Sequence, residues 1–159
     1  MRRRIQRVSQ PRSSGGAAAF SGARVFDSGT QGVTGPGTTV LTFDSERYDT
    51  DAYHDTGSNT SRLTAPSTAK YGIGFNLSLG NGAMSTFNWF VELLLNGTTV
   101  IGALKQWIVS DPMIVSLHVE YALSAGDYVE IRVSHDNGML TENVNAAANY
   151  SPEFWMSKR

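Results

Sequence analysis

The stretch Lys70 to Leu79 constrains the fold more than any other part of the chain. Tyr71, Ile73, Phe75, Leu77 and Leu79 alternate with Gly72, Gly74, Asn76 and Ser78. Side chains two apart share one face of extended backbone, so this is the period of a half-buried β-strand and not of a helix. Two later segments repeat it. Val115, Leu117, Val119, Tyr121 and Leu123 face one way, with Ser116, His118 and Glu120 between them. Val129, Ile131 and Val133 alternate with Glu130, Arg132 and Ser134. The connecting Ser124-Ala125-Gly126-Asp127 is a tight-turn signal, read here as a hairpin with Gly126 at positive φ. Trp89–Leu95 and Thr98–Lys105 flank Asn96-Gly97, the strongest short hairpin signal. Ala23–Phe26, Thr39–Phe43 and Phe154–Ser157 are weaker strands. Eight short strands without an amphipathic helix predict an all-β, two-sheet antiparallel sandwich or jelly roll. Its core is expected to hold Phe43, Tyr71, Ile73, Phe75, Leu77, Val91, Leu93, Leu117, Val119, Val129, Ile131 and Val133.

Composition agrees. The 159 residues suit one domain, and 40% hydrophobic content builds a core. Only 17% are charged, while Gly, Ser and Thr number 16, 17 and 14, a mix that favours strands and turns. The lack of cysteine excludes a disulfide scaffold, thiolate-ligated zinc, iron–sulfur clusters and a thiol nucleophile. No apolar run approaches the roughly 20 residues of a membrane-spanning helix.

Charge is unevenly placed. Arg2, Arg3, Arg4, Arg7 and Arg12 give residues 1–20 a balance of +5; residues 21–159 hold 8 basic and 14 acidic residues, a balance of −6. The chain therefore divides into a basic, extended N-terminal arm (1–22) and an acidic body (23–159). The arm has too few apolar residues to fold alone. Ala17-Ala18-Ala19-Phe20 is too short for the apolar core of a signal peptide, so no secretion signal is expected.

Three landmarks occur in order along the body. Phe43-Asp44-Ser45-Glu46-Arg47-Tyr48-Asp49-Thr50 is followed by Ser61-Arg62-Leu63-Thr64-Ala65-Pro66; Tyr71 then opens the alternating strand; Leu123-Ser124-Ala125-Gly126-Asp127-Tyr128-Val129 comes last. In combination they resemble the globular head of complement C1q, within the tumour-necrosis-factor-like jelly rolls. The resemblance covers about residues 23–157. The sequence departs from the family at Thr68-Ala69-Lys70, where a glycine is usual, and at Phe154-Trp155-Met156, where the closing strand is abbreviated. The resemblance implies a ten-stranded sandwich that assembles as a homotrimer and binds ligands or caps structures without being an enzyme. Aromatic residues including Trp89, Trp107 and Trp155 exceed what one thin sandwich obviously needs; each either fills the monomer core or is surplus that subunit contacts would bury.

Phe43–Thr50 together with Asn59–Pro66 resembles the variants found in bacteriophage virion proteins. The implied role is a non-enzymatic virion structural protein, a capsid decoration, head fibre or small tail protein. Its trimeric head would be anchored by the N-terminal arm to capsid or tail proteins and would face a host-cell glycan or protein. Its place would be the virion surface, without membrane insertion. The alternative is a bacterial lectin-like adhesin or ligand-binding module using the same fold.

Other features have plainer readings. Asp44, Asp49, Asp51 and Asp55 are calcium candidates, because hard cations take several oxygens. Their spacing is not that of an EF-hand, and a solvated acidic loop is the favoured reading. No other metal or cofactor is expected. The arginines could neutralise phosphates, but an acidic head repels nucleic acid, so docking on protein is preferred. His118 and His135 would lie diagonally across the expected hairpin, and no hydrolase motif accompanies them. Asn59, Asn76, Asn96 and Asn149 head Asn-x-Ser/Thr sequons, read as chance in a Ser/Thr-rich chain.

Overall fold

The computed structural model describes residues 19–80, 86–107 and 112–159. Arg2, Arg3, Arg4, Arg7 and Arg12 of the expected anchoring arm lie outside the described residues. Twelve strands run in chain order among those residues. They are β1 (Gly22–Phe26), β2 (Gln31–Thr34), β3 (Thr38–Val40), β4 (Ser45–Asp49), β5 (Leu63–Thr64) and β6 (Ala69–Leu79), then β7 (Asn88–Leu95), β8 (Thr99–Trp107), β9 (Met113–Leu123), β10 (Tyr128–His135), β11 (Thr141–Asn145) and β12 (Glu153–Lys158). All pairings between them are antiparallel. The fold is an all-β, two-sheet jelly roll.

One sheet runs β2-β11-β6-β12-β1-β4, with β9 on the other side of β6. The second runs β3-β10-β7-β8, with β5 on β10. The inward rows of both sheets fill one core. Tyr71, Ile73, Phe75, Leu77 and Leu79 of β6 are fully buried against Val25, Phe154 and Met156 in their own sheet and Trp89, Val91, Leu93, Val129, Ile131 and Val133 opposite. Irregular chain adds Leu41, Phe43 and Tyr53. Leu117 and Val119 of β9 are only partly buried, because β9 is an edge strand with β6 as its one partner in the sheet.

Several expectations need correction. The strand over 70–79 is not half-buried: Gly72, Gly74 and Ser78 on its second face are buried too. Ser124–Asp127 does not close a hairpin. β9 belongs to the first sheet and β10 to the second, so this turn carries the chain between layers. Gly126, at φ +87°, makes that change of direction. The weak C-terminal strand is longer than expected, Glu153–Lys158, and lies between β1 and β6 in mid-sheet. The acidic segment contains β4, and Gly22 is already part of β1, so the body begins before Ala23.

Candidate interaction surfaces

Two surfaces gather polar and aromatic groups that the core does not use. The first is the outer face of the seven-stranded sheet. Register places Tyr48, Arg24, Trp155, Gly74 and His118 in one row across β4, β1, β12, β6 and β9. A Cβ on Gly74 would stand 2.6 Å from Cζ2 of Trp155 and 2.8 Å from the carbonyl oxygen of Leu117. The missing side chain lets the indole lie flat across β6. Gly72 admits the Arg159 guanidinium in the same way, and Arg159 lies 3.4 Å from Glu120 and 3.3 Å from His118. Arg24 stacks 5.5 Å above Trp155, and Phe20 meets Tyr48 edge-on at 5.6 Å.

Beneath this face lies Glu153, 1% exposed although it points away from the core. Arg24 Nε donates to its Oε2, and Arg47 Nε and Nη2 donate to its Oε1 at 3.1 and 3.0 Å. Arg47 also lies 4.0 Å over the Phe26 ring. Two guanidinium groups thus cover one carboxylate on what would otherwise be an exposed sheet face. Sequence reasoning missed this cluster because it depends on β12 lying beside β1. The one signal was the alternation of Glu153, Trp155 and Ser157 with Phe154 and Met156.

The second surface is a cleft of about 700 Å³ between the loop after β4 and the β9–β10 turn. Its walls include Glu46, His54, Asp55, Asn59, Arg62 and Tyr128. The loop is held from within. Asp49 accepts the backbone N–H groups of Asp51, Tyr53 and His54 at 3.2, 3.1 and 2.9 Å. The His54 ring, shielded from solvent, sits between Glu46 Oε1 at 3.0 Å and the Thr60 carbonyl oxygen at 3.2 Å. Asp55 accepts the N–H groups of Gly57 and Ser58 at 2.8 and 3.1 Å. Across the cleft, Arg62 lies 3.9 Å over Tyr128 and donates through Nε to Glu130 at 3.1 Å.

The structure does not bring the four calcium candidates together. Asp44 is bound to Ser28, whose hydrogen bond holds its carboxyl below the usual range. Asp51 is held low by Ser21, then Thr50. Asp49 and Asp55 organise the loop as described. Among the described residues no three His, Asp or Glu side chains converge on a metal-sized site. His118 is exposed on one sheet; His135 is buried in the other against Phe87 and Trp89, donating from Nε2 to the Val33 carbonyl at 2.8 Å and accepting the Asn137 N–H at Nδ1.

The turn residues form a knot. Asn96 and Gly97 have φ +51° and +72°. Asn96 Nδ2 donates to Asp127 Oδ1 at 2.9 Å, the Tyr128 N–H donates to Asn96 Oδ1 at 3.0 Å, and the Ser124 N–H donates to Asp127 Oδ2 at 2.8 Å. Asp127 therefore ties the β7–β8 hairpin to the crossover turn. Asn59, Asn96 and Asn149, three of the four sequon asparagines, have positive φ; asparagine adopts that conformation at low cost.

No protein-family model matches this sequence, and no curated protein is similar to it. Solved structures are. The crystal structure of murine APRIL at pH 5.0 superposes with a TM-score of 0.63 at 10% identity, covering 89% of this chain and 100% of that one. Eiger, a TNF from S. frugiperda, superposes with a TM-score of 0.57 at 15% identity, covering 88% and 92%. The chain has the jelly-roll fold of the tumour-necrosis-factor-like proteins.

Proposed function

We propose that the protein is a non-enzymatic structural protein of a bacteriophage virion: a homotrimeric head, projected from the capsid or tail by its basic N-terminal arm and turned toward the host surface. The observation that supports assembly is the outer face of the seven-stranded sheet. It is built on Gly72 and Gly74 and carries Trp155 and Tyr48 with Phe20 alongside. Ile114 on the adjoining edge strand β9 is 59% exposed. Large side chains gathered on one face and its edge are the composition of a subunit contact. The resemblance of Phe43–Thr50 and Asn59–Pro66 to phage variants of the fold supplies the setting.

The arm supports attachment. Its five arginines and the acidic body have opposite charge, which favours protein docking over packaged nucleic acid. Mass spectrometry of purified virions, with antibody labelling in the electron microscope, tests the setting. The protein is expected in stoichiometric amounts on the capsid or tail. Its absence from purified particles refutes the virion role and leaves a ligand-binding jelly roll.

A further inference from the structure

We infer that His135 is an acid-sensitive latch: its neutral ring holds the β10–β11 loop closed, and a second proton on the ring opens it. The residue is 4% exposed. Nδ1 lies 3.2 Å from the Asn137 backbone nitrogen. A backbone N–H can only donate, so Nδ1 carries no proton. Nε2 lies 2.8 Å from the Val33 carbonyl oxygen. That oxygen can only accept, so Nε2 carries the proton. The neutral Nε2–H ring alone satisfies both partners. A second proton has one place to go, Nδ1, where it would meet the Asn137 N–H donor to donor.

The two bonds tie separate parts of the fold. Val33 belongs to β2 in the first sheet and His135 to β10 in the second. Asn137 continues the chain of bonds to β11, donating from Nδ2 to Glu142 Oε1 at 2.6 Å. Packing fixes the ring. Its centroid lies 5.6 Å from that of Phe87 and 5.2 Å from that of Trp89, and a Cβ on Gly35 would stand 2.8 Å from its Cε1. Among the described residues no carboxylate bonds the ring. From β2 it meets a carbonyl, from β7 two aromatic rings, and from β11 Glu142 only by way of Asn137. The neighbouring Asp136 is engaged by Asn88, with Lys105 of β8 as the nearby cation. An imidazolium in this place would be a buried charge without a partner. Swinging out to water relieves it, at the loss of both bonds. The loop thereby freed carries Met139 and Leu140, 84% and 59% exposed. The open form binds one more proton than the closed form, so opening grows as pH falls. Histidine ordinarily changes charge between about pH 5 and 8, above the range in which the carboxylates take up protons. The inference concerns the purified protein and does not depend on the virion setting.

NMR on the full-length chain tests it in two ways. Ring nitrogen shifts at about pH 7.5 are expected to show Nδ1 of His135 unprotonated and Nε2 protonated. Between about pH 7.5 and 5, hydrogen-exchange protection of the Asn137 amide is expected to fall at least about tenfold more than that of Ile131 in mid-strand. His135→Asn keeps an oxygen acceptor near the Nδ1 position and cannot titrate, so its Asn137 protection should lose this pH dependence. A proton on Nδ1 at the higher pH overturns the inference. So does equal protection of Asn137 at both pH values, or the same fall in His135→Asn. Should that variant not fold, the wild-type ring shifts and exchange decide the matter alone.

Discussion

Removing the two arginines over Glu153 should cost more together than the sum of their separate costs. The carboxylate is 1% exposed, whereas the Arg24 and Arg47 side chains are 38% and 33% exposed. Water therefore screens each cation, and losing one leaves the other still paired with Glu153. Each single methionine variant, Arg24→Met or Arg47→Met, is expected to cost about 1 kcal/mol, the upper end for partly exposed pairs. Methionine keeps a long apolar cover over the site, so water does not simply flood it. The double variant leaves a buried carboxylate with neither guanidinium. Breaking a buried pair costs about 3–5 kcal/mol, so the coupling between the two positions should be about 1–3 kcal/mol. Urea unfolding at one fixed protein concentration reads this as a midpoint shift. With a slope of about 2 kcal/mol per molar, each single variant moves the midpoint by about 0.5 M and the double by about 1.5–2.5 M. Additive shifts would refute the reasoning, because they would mean that Glu153 does not depend jointly on the two arginines.

Three further outcomes follow from the geometry. Gly126→Val should lower stability by about 1–2 kcal/mol, the cost of a left-handed L-residue; nothing lies within 4 Å of the added Cβ, so an unchanged melting temperature would remove the backbone as its cause. Phe75→Ala, in the fully buried row of β6, should cost about 3–5 kcal/mol, read by the same urea titration. Stability should fall in acid: Asp44, Asp51, Asp127 and Asp136 all sit below their ordinary 3.8, Asp127 chiefly through Asn96 and Asp136 through Asn88. Folded-state values below unfolded ones give stabilisation that is full above about pH 4–5 and lost as pH falls through the folded values. Asp27, raised by desolvation, acts in the opposite sense as one group against four. Thermal melts from pH 7 to 3 should show the decline, and a flat profile would contradict it.

The long strands were legible because each alternates over many residues, and Lys70–Leu79 announced the core row with its own side chains. What the period could not show was the second layer. Gly72 and Gly74 read as a solvent face, yet they are gaps left for Arg159 and Trp155, which arrive from the other end of the chain. Turn chemistry was equally ambiguous. Gly126 and Asp127 suit a sharp reversal, but the partners of that turn are Ala65 and Thr68, not the facing strand. Short strands such as β2, β5 and β11 hold two to five residues and owe their form to neighbours. The cleft was hidden for the same reason. Asp44, Asp49, Asp51 and Asp55 looked like one acidic cluster, whereas each carboxylate is bound to separate groups: Asp44 to Ser28, and Asp49, Asp51 and Asp55 to backbone or hydroxyl groups close by in the chain.

The central claim is that the outer face of the seven-stranded sheet is a subunit contact in a homotrimer. Light scattering on the full-length chain, beside a chain beginning at Ala19, measures this directly. Both should give three times the mass of one chain, which for the full-length protein is three times 17.2 kDa. A single-chain mass in both would contradict this and leave the face of Trp155 and Tyr48 without a neighbouring subunit to meet.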